Sequence, residues 1–249
     1  MGSARHPLSG FAAAMSFLTR LGPARVFSSK EMAQSLRHFS VAGLIIGALC
    51  TLPLHGLLGT RHATVQGWLW VGLSLWLTRG LHWDGWADLW DAWGSATRGE
   101  RFWLIMKDSH IGAFGAMGLV MGLGGQLLFA SELAASSAWT GLLWAPVWGR
   151  AASALLAALG TAPPSSSLGR LFLPGATPVV VATQLAVAGA AGWLLVGLPA
   201  LGTSACILLP GLVALVRLSR QQGGMNGDFL GAMIIWGELA ALAGCLLTT

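Results

Sequence analysis

Apolar residues run along this chain in long blocks, with neither the alternation of a half-buried strand nor the single stripe of a surface helix. The blocks cover residues 41–58, 64–81, 112–133, 138–160, 178–198, 201–217 and 228–247. Each approaches the roughly 20 apolar residues with which an α-helix crosses a bilayer. In lipid a segment must satisfy its own backbone, which a helix does. The pattern therefore predicts an all-α, polytopic membrane bundle of about seven helices. It excludes a β-barrel, whose strands alternate polar and apolar positions. Pro210-Gly211 interrupts the sixth block, a break that neighbouring helices can accommodate. Residues 8–18 form a further apolar stretch, followed by Arg20 and Arg25 instead of a small-residue cleavage site, and read as an interfacial helix kept on the protein. No repeat, heptad or low-complexity segment is visible. The loop APPSSSLG at 162–169 is too short to divide the chain, so residues 1–249 read as one domain.

Composition strengthens this picture. Hydrophobic residues make up 55% and charged residues 9%, against about 25% charged in an ordinary soluble domain. The net charge of +5 comes from scattered arginines without a dense basic patch, which argues against nucleic acid as a partner. Their distribution instead orients the bundle. Arg5, Arg20, Arg25, Lys30 and Arg37 precede the first block, Arg98, Arg101 and Lys107 follow the second, Arg170 follows the fourth, and Arg217 and Arg220 precede the seventh. The alternate loops hold little beyond Arg61 and Glu132. The positive-inside rule then places the N-terminus and the loop 82–111 in the cytoplasm, with the membrane itself the cytoplasmic (inner) one. Cys50, Cys206 and Cys245 each fall inside an apolar block without ligand spacing, and read as packing residues.

Acid is where the chain departs from its oily background. Nine carboxylates serve all 249 residues, and Asp84, Asp88, Asp91, Glu100 and Asp108 crowd into one short stretch. Asp84, Asp88 and Asp91 stand at i, i+4 and i+7, on one side of a helix. Trp83, Trp86, Trp90 and Trp93 gather on nearly the opposite side, where indoles suit a headgroup layer. A helix lying on an anionic leaflet normally shows Lys or Arg to water. Three clustered aspartates argue instead for a hard divalent cation such as Mg²⁺, or for phosphate handling.

Two further segments carry candidate chemistry. In LIMKDSHIGAFG, Lys107 and Asp108 precede Ser109 and His110, a lysine able to hold phosphate beside a turn with free N–H groups at Gly112. In GGMNGDFLGA, Gly223, Gly224, Asn226 and Gly227 lead into Asp228 at the start of the last block, where an acid suits the helix dipole and equally a cap. Arg150 lies inside the fourth block and is read as meeting a substrate anion in preference to an acid, while Glu238, deep in the last block, needs a partner or a cavity. His82 adjoins the acidic helix within reach of phosphate. Small-xxx-small pairs such as Gly43/Gly47, Gly118/Gly122 and Gly227/Gly231 are read as packing sites.

The run GLHWDGWADLWDAWG, then IMKDSHIGAFG and later GGMNGDFLGA, resembles the cobalamin synthase family, adenosylcobinamide-GDP ribazoletransferase. FLTRLGPAR, FSVAGLIIG and WAPVWGRA fit the same pattern in the same order, so the likeness covers most of the chain. It departs from the family pattern at Ser40, His110 and Asn226, where the family often has proline, arginine and threonine. The resemblance implies Mg²⁺-dependent phosphoryl transfer in which α-ribazole, or its 5′-phosphate, attacks adenosylcobinamide-GDP and GMP leaves. The implied metal ligands are Asp84, Asp88, Asp91 and Asp228, with Asp88 and Asp108 as catalytic carboxylates. His82, Lys107, Ser109, Arg150, Gly223, Gly224, Asn226 and Gly227 are the implied substrate contacts, and a homo-oligomer is left open. Because carboxylate-held Mg²⁺ usually shares its shell with substrate phosphate, Asp228 is expected within about 10 Å of the Asp84–Asp91 cluster, with Lys107 and Asp108 lining the same cavity. Two rival readings fit less well. A CDP-alcohol phosphotransferase-like enzyme would need Arg after Ala87 and a later G-x-x-x-D-x-x-x-D. A cation-coupled transporter would place its acids near the midplane, often with repeat symmetry.

Overall fold

A computed structural model of the chain describes residues 8–163 and 167–249. Arg5, His6 and part of the 162–169 loop fall outside the described residues. Every regular element within them is helical: α1 (Ser9–Leu18), α2 (Ser29–Ser35), α3 (Phe39–Leu58), α4 (Ala63–Thr78), α5 (Leu81–Gly94), α6 (Glu100–Ile105), α7 (Ala113–Ala135), α8 (Trp139–Leu159), α9 (Ser167–Phe172), α10 (Pro178–Gln221) and α11 (Gly227–Leu246). The apolar blocks become α3, α4, α7, α8, α10 and α11, and the N-terminal stretch becomes α1. Among the described residues five helical segments are long and apolar enough to cross a membrane, namely Ser29–Leu58, α7, α8, α10 and α11. The protein is thus a helical polytopic membrane protein.

Two of these helices need comment. α4 has 16 residues, short for a span on its own. α10 has 44 residues, far more than one crossing requires at about 1.5 Å per residue. It breaks at Gly197, whose φ of 83° and ψ of 168° leave the helical region and suit glycine, just ahead of Pro199. Its first half reaches the start of α3, where Gln184 Oε1 accepts from Ser40 N at 2.7 Å. After the break the chain returns along α11, with the Trp236 indole donating to Leu208 O at 3.2 Å. The long helix is therefore a hairpin, and the boundary between the fifth and sixth blocks survives as its bend.

α8 and α11 form the buried centre. They run antiparallel, because Gly149 meets Ile234 and Glu238 while Gly141 meets Cys245. α3 lies antiparallel on α8 through Gly43 and Gly47, where a Cβ on Gly43 would stand 2.5 Å from Pro146 O. Helices in lipid gain little from hydrophobic association, so close backbone contact of this kind supplies van der Waals attraction instead. The contacts also sort the ends of the bundle. His55 packs on Trp139 with ring centroids 4.6 Å apart at one end. At the other, Met225 N donates to Thr161 O at 2.8 Å and Gly99 N to Gln222 Oε1 at 2.9 Å. The acidic helix α5 and the glycine-rich turn before α11 share this second end.

Candidate active site

The chain turns from α4 into α5 through Arg79 and Gly80, both left-handed at φ 59° and 65°. That reversal lays α5 across the end of the bundle, between α7 and α11. Its tryptophans pack mostly within the protein. The Trp86 indole donates to Gly118 O at 2.9 Å, and a Cβ on Gly118 would lie 2.5 Å from Trp90 Cγ. Only Trp93 is largely exposed. The glycines of α7 receive the indoles, so the aromatic face is packing and the opposite, acidic face is left free.

The three aspartates on that face then diverge. Asp91 turns to the N-terminus of α7, accepting from Gly112 N at 2.8 Å and Gly115 N at 2.7 Å. Those are two of the amide groups a helix start leaves unpaired, and the negative charge suits the dipole there. Asp91 is thus a cap with both oxygens engaged, which its spacing alone did not reveal. Asp84 is exposed and Asp88 half-buried. Both line a polar cavity of about 600 Å³ together with Arg79, Ser109 and His110. Burial, then the charges of Asp84, Asp228 and Asp91, push the Asp88 carboxyl up to about 7.

Asp228 closes on this group from α11. Gly85, between Asp84 and Asp88 in sequence, makes the approach feasible, since a Cβ there would stand 2.7 Å from Asp228 Cα. Asp228 accepts from the Asn226 side chain and makes no N-cap bond to its own helix. Two segments more than a hundred residues apart thus bring their carboxylates to one place. Their oxygen donors match a hard cation in chemistry. Even so, among the described residues no three His, Cys, Asp or Glu side chains are arranged to hold a metal ion between them.

Other expected residues fall elsewhere. Lys107 and Asp108 are exposed and do not line the polar cavity, because the loop directs Asp108 onto its own turn. Its Oδ1 accepts from His110 N at 3.0 Å and pairs with His110 Nδ1 at 2.7 Å. Those bonds hold the Asp108 carboxyl below its ordinary range. Gly224, at φ 146°, packs on Thr161 and Pro163, where a Cβ would lie 2.7 Å from Thr161 O. It serves the turn and leaves no room for substrate on that side. Gly223, also left-handed, faces open space.

Arg150 is the clearest correction. It meets an acid, not a substrate anion: its guanidinium pairs with Glu238 in the bundle centre, with side chains 1% and 2% exposed. The Gln126 amide also donates to Glu238, at 2.8 Å. A charge so deep in an apolar interior persists only when compensated, and the nearest compensation is Glu238. His82 likewise points away from the polar cavity. It is 3% exposed, and burial, then the Arg150 charge, hold its pKa well below the ordinary histidine value. Sequence reading missed Arg79, which lines the polar cavity. The signal available was the Arg-Gly pair immediately before the acidic helix.

Comparison with known proteins gives the family. The family model described as cobalamin-5-phosphate synthase matches residues 10–246. The chain belongs to that family. It is 50% identical over 232 residues to the adenosylcobinamide-GDP ribazoletransferase of Nitratidesulfovibrio vulgaris strain Miyazaki F, covering 93% of this chain and 92% of the relative. It is 34% identical over 247 residues to the protein of that name in Syntrophobacter fumaroxidans, covering 96% and 99%. No solved structure matches it.

Proposed function

We propose that this chain is a membrane-embedded phosphotransferase of the last stage of cobalamin assembly. A hydroxyl of α-ribazole, or of its 5′-phosphate, forms a bond to the phosphorus carried by adenosylcobinamide in adenosylcobinamide-GDP. The bond from that phosphorus to the bridging oxygen breaks, and GMP departs. The observation that carries this reading is the meeting of Asp84 and Asp88 with Asp228 beside an open polar cavity, in a chain whose relatives bear that enzyme's name. Acids so placed are of little use to a helix that only anchors at an interface.

Phosphoryl transfer asks for in-line positioning and charge neutralisation more than covalent chemistry. Asp84 and Asp228 would hold Mg²⁺, sharing it with substrate phosphate and water, since one or two carboxylates are its usual protein ligands. Bound there, the ion would offset the diphosphate charge and stabilise the leaving GMP. Asp88, crowded by the other acids, is suited to receive the acceptor's proton, and Arg79 supplies positive charge to the same cavity. The loop charges support seven spans in the cytoplasmic membrane, with the site facing the cytoplasm.

The test uses purified protein in lipid nanodiscs with adenosylcobinamide-GDP and α-ribazole. GMP release should require both the acceptor and Mg²⁺. Release that ignores the acceptor, or no release with all three present, would refute the assignment.

A further inference from the structure

An apolar groove lies behind the acidic helix, on the side of α5 away from Asp84 and Asp88. It holds about 200 Å³ between Trp86, Leu89 and Trp90 of α5, Ala214 and Leu215 of the second limb of α10, and Trp236 of α11. Every residue lining it is apolar or glycine. Small residues open the space. Gly211, Ala214 and Ala232 stand where larger ones would fill it, and Gly211 lets the Trp236 indole close against α10, since a Cβ there would overlap the ring. From Gly211 to Leu218 the groove follows α10 for about 10 Å, at 1.5 Å per residue. Inside a bilayer such a space takes hydrocarbon, because an empty one forfeits the dispersion contacts of its walls.

What sets this groove apart from ordinary lipid-facing surface is the charge at the end it shares with the candidate active site. Arg217 stands one turn beyond Ala214, and Arg220 follows it. Gln222, one turn beyond Leu218, accepts from Gly99 N at 2.9 Å through its side chain and from the Trp103 indole at 3.0 Å through its backbone carbonyl. Those bonds pin to the end of α10 the loop that carries Arg98 and Arg101, with Glu100 as its one carboxylate. All four arginines are exposed, and among the described residues none is paired with an acid. Trp93, 58% exposed, lines the groove as well, and an exposed indole suits a headgroup layer. We propose that the groove is a binding site for one anionic glycerophospholipid, with an acyl chain lying among Trp86, Trp90 and Trp236 and the phosphate meeting Arg98 and Arg217. Basic clusters between membrane helices recognise acidic headgroups in this way. A second copy of the chain fits worse. Copies share one orientation in a membrane, so packing groove to groove would set two arginine rims against each other. The lipid touches α5 and also Ala232 of α11, one turn after Asp228, and so ties together the two helices that bring the acids to one place.

The test is lipid binding, which needs no substrate and is read apart from the reaction. The detergent-solubilised full chain is titrated with phosphatidylglycerol or with phosphatidylcholine of the same acyl chains, and bound lipid is counted by native mass spectrometry. Wild type should hold one phosphatidylglycerol about tenfold more tightly than phosphatidylcholine, the scale that two arginines near a headgroup supply. Arg98→Gln with Arg217→Gln changes only exposed positions, so the double variant should fold and bind the two lipids alike. Ala214→Trp should fill the groove and weaken phosphatidylglycerol at least tenfold. Val213→Trp, exposed on the same helix but outside the groove, should bind as wild type does. Phosphatidylglycerol should raise the melting temperature of wild type and Val213→Trp, and not that of Ala214→Trp. Equal affinity for the two lipids in wild type, a preference that survives in the double variant, or tight phosphatidylglycerol retained by Ala214→Trp overturns the site. A dimer that dissociates in Ala214→Trp with lipid binding unchanged would give the groove to a second copy instead.

Discussion

At the level of single residues, Asp84, Asp88 and Asp91 share a helix face yet have different fates, and substitution should separate them. Asp84→Asn removes a charge from an exposed position, so the fold should persist while turnover falls at least 10²-fold, the usual scale for one lost transition-state contact. Near-normal turnover with unchanged Mg²⁺ dependence would remove Asp84 from the site. Asp91→Ala leaves Gly112 and Gly115 N–H groups without their acceptor, and should lower stability by about 1–3 kcal/mol while cutting turnover of the folded protein less than tenfold. Thermal melting and kcat measured on the same samples decide it; a loss of activity as deep as that of Asp84→Asn, at unchanged melting temperature, would make Asp91 a ligand instead of a cap. The buried pair offers a second contrast. Arg150→Met alone strands Glu238 and should cost about 3–5 kcal/mol, whereas Arg150→Met with Glu238→Leu should recover most of it. If the double variant is as unstable as the single, the pair is not what holds α8 to α11.

Among elements, the helical wheel of α5 was legible from sequence but the identity of its neighbours was not. A wheel says which residues share a side, and four tryptophans on one side fit a headgroup layer as well as a groove of glycines. Only the position of α7, with Gly118 and Gly122 facing Trp90 and Trp83, decides between them. Arg150 failed for the same reason, since its partner lies 88 residues away on another helix. Helix ends came through better: the block 138–160 became Trp139–Leu159, and 228–247 became Gly227–Leu246, because apolar length alone sets them. The approach of the Asp228 turn to the acidic helix was likewise expected, from the resemblance and a cation's need for further ligands, whereas Lys107 and Asp108 were drawn off by the local pairing with His110. If glycine spacing seats α5, Gly118→Leu should be severe. Its side chain would have to displace the Trp90 ring and strip Trp86 of its carbonyl, at a cost of about 1–3 kcal/mol or more from overpacking. Tryptophan fluorescence should shift to the red and turnover should fall with it, although residue 118 touches no candidate substrate contact. Gly124→Leu, on the same helix but facing open space, should leave both unchanged; equal effects from the two would deny α5–α7 packing any special part.

For the molecule as a whole, the decisive property is that every segment with candidate chemistry gathers at one end of the bundle. α3 and α11 each run antiparallel to α8, and α10 doubles back at Gly197, so the start of α3, both ends of α10, α5 and the turn before α11 lie together. The opposite end holds Gly59–His62, the α7–α8 turn and the C-terminal Thr248 and Thr249, with little charge beyond Arg61 and Glu132. The asymmetry of Lys and Arg between these ends is what the positive-inside rule reads as orientation. A soluble substrate with a diphosphate could reach the carboxylates only from the charged end. Single cysteines at Ser95 and Gln221, in a background where Cys50, Cys206 and Cys245 are replaced, should therefore react with an impermeant maleimide only in inverted membrane vesicles. A cysteine at Thr60, between α3 and α4, should react only in right-side-out ones. Labelling of Ser95 and Gln221 from opposite sides would break the shared end on which the composite site depends. Labelling of both from outside would keep the site but turn the protein over, leaving its substrates to be supplied from the other compartment.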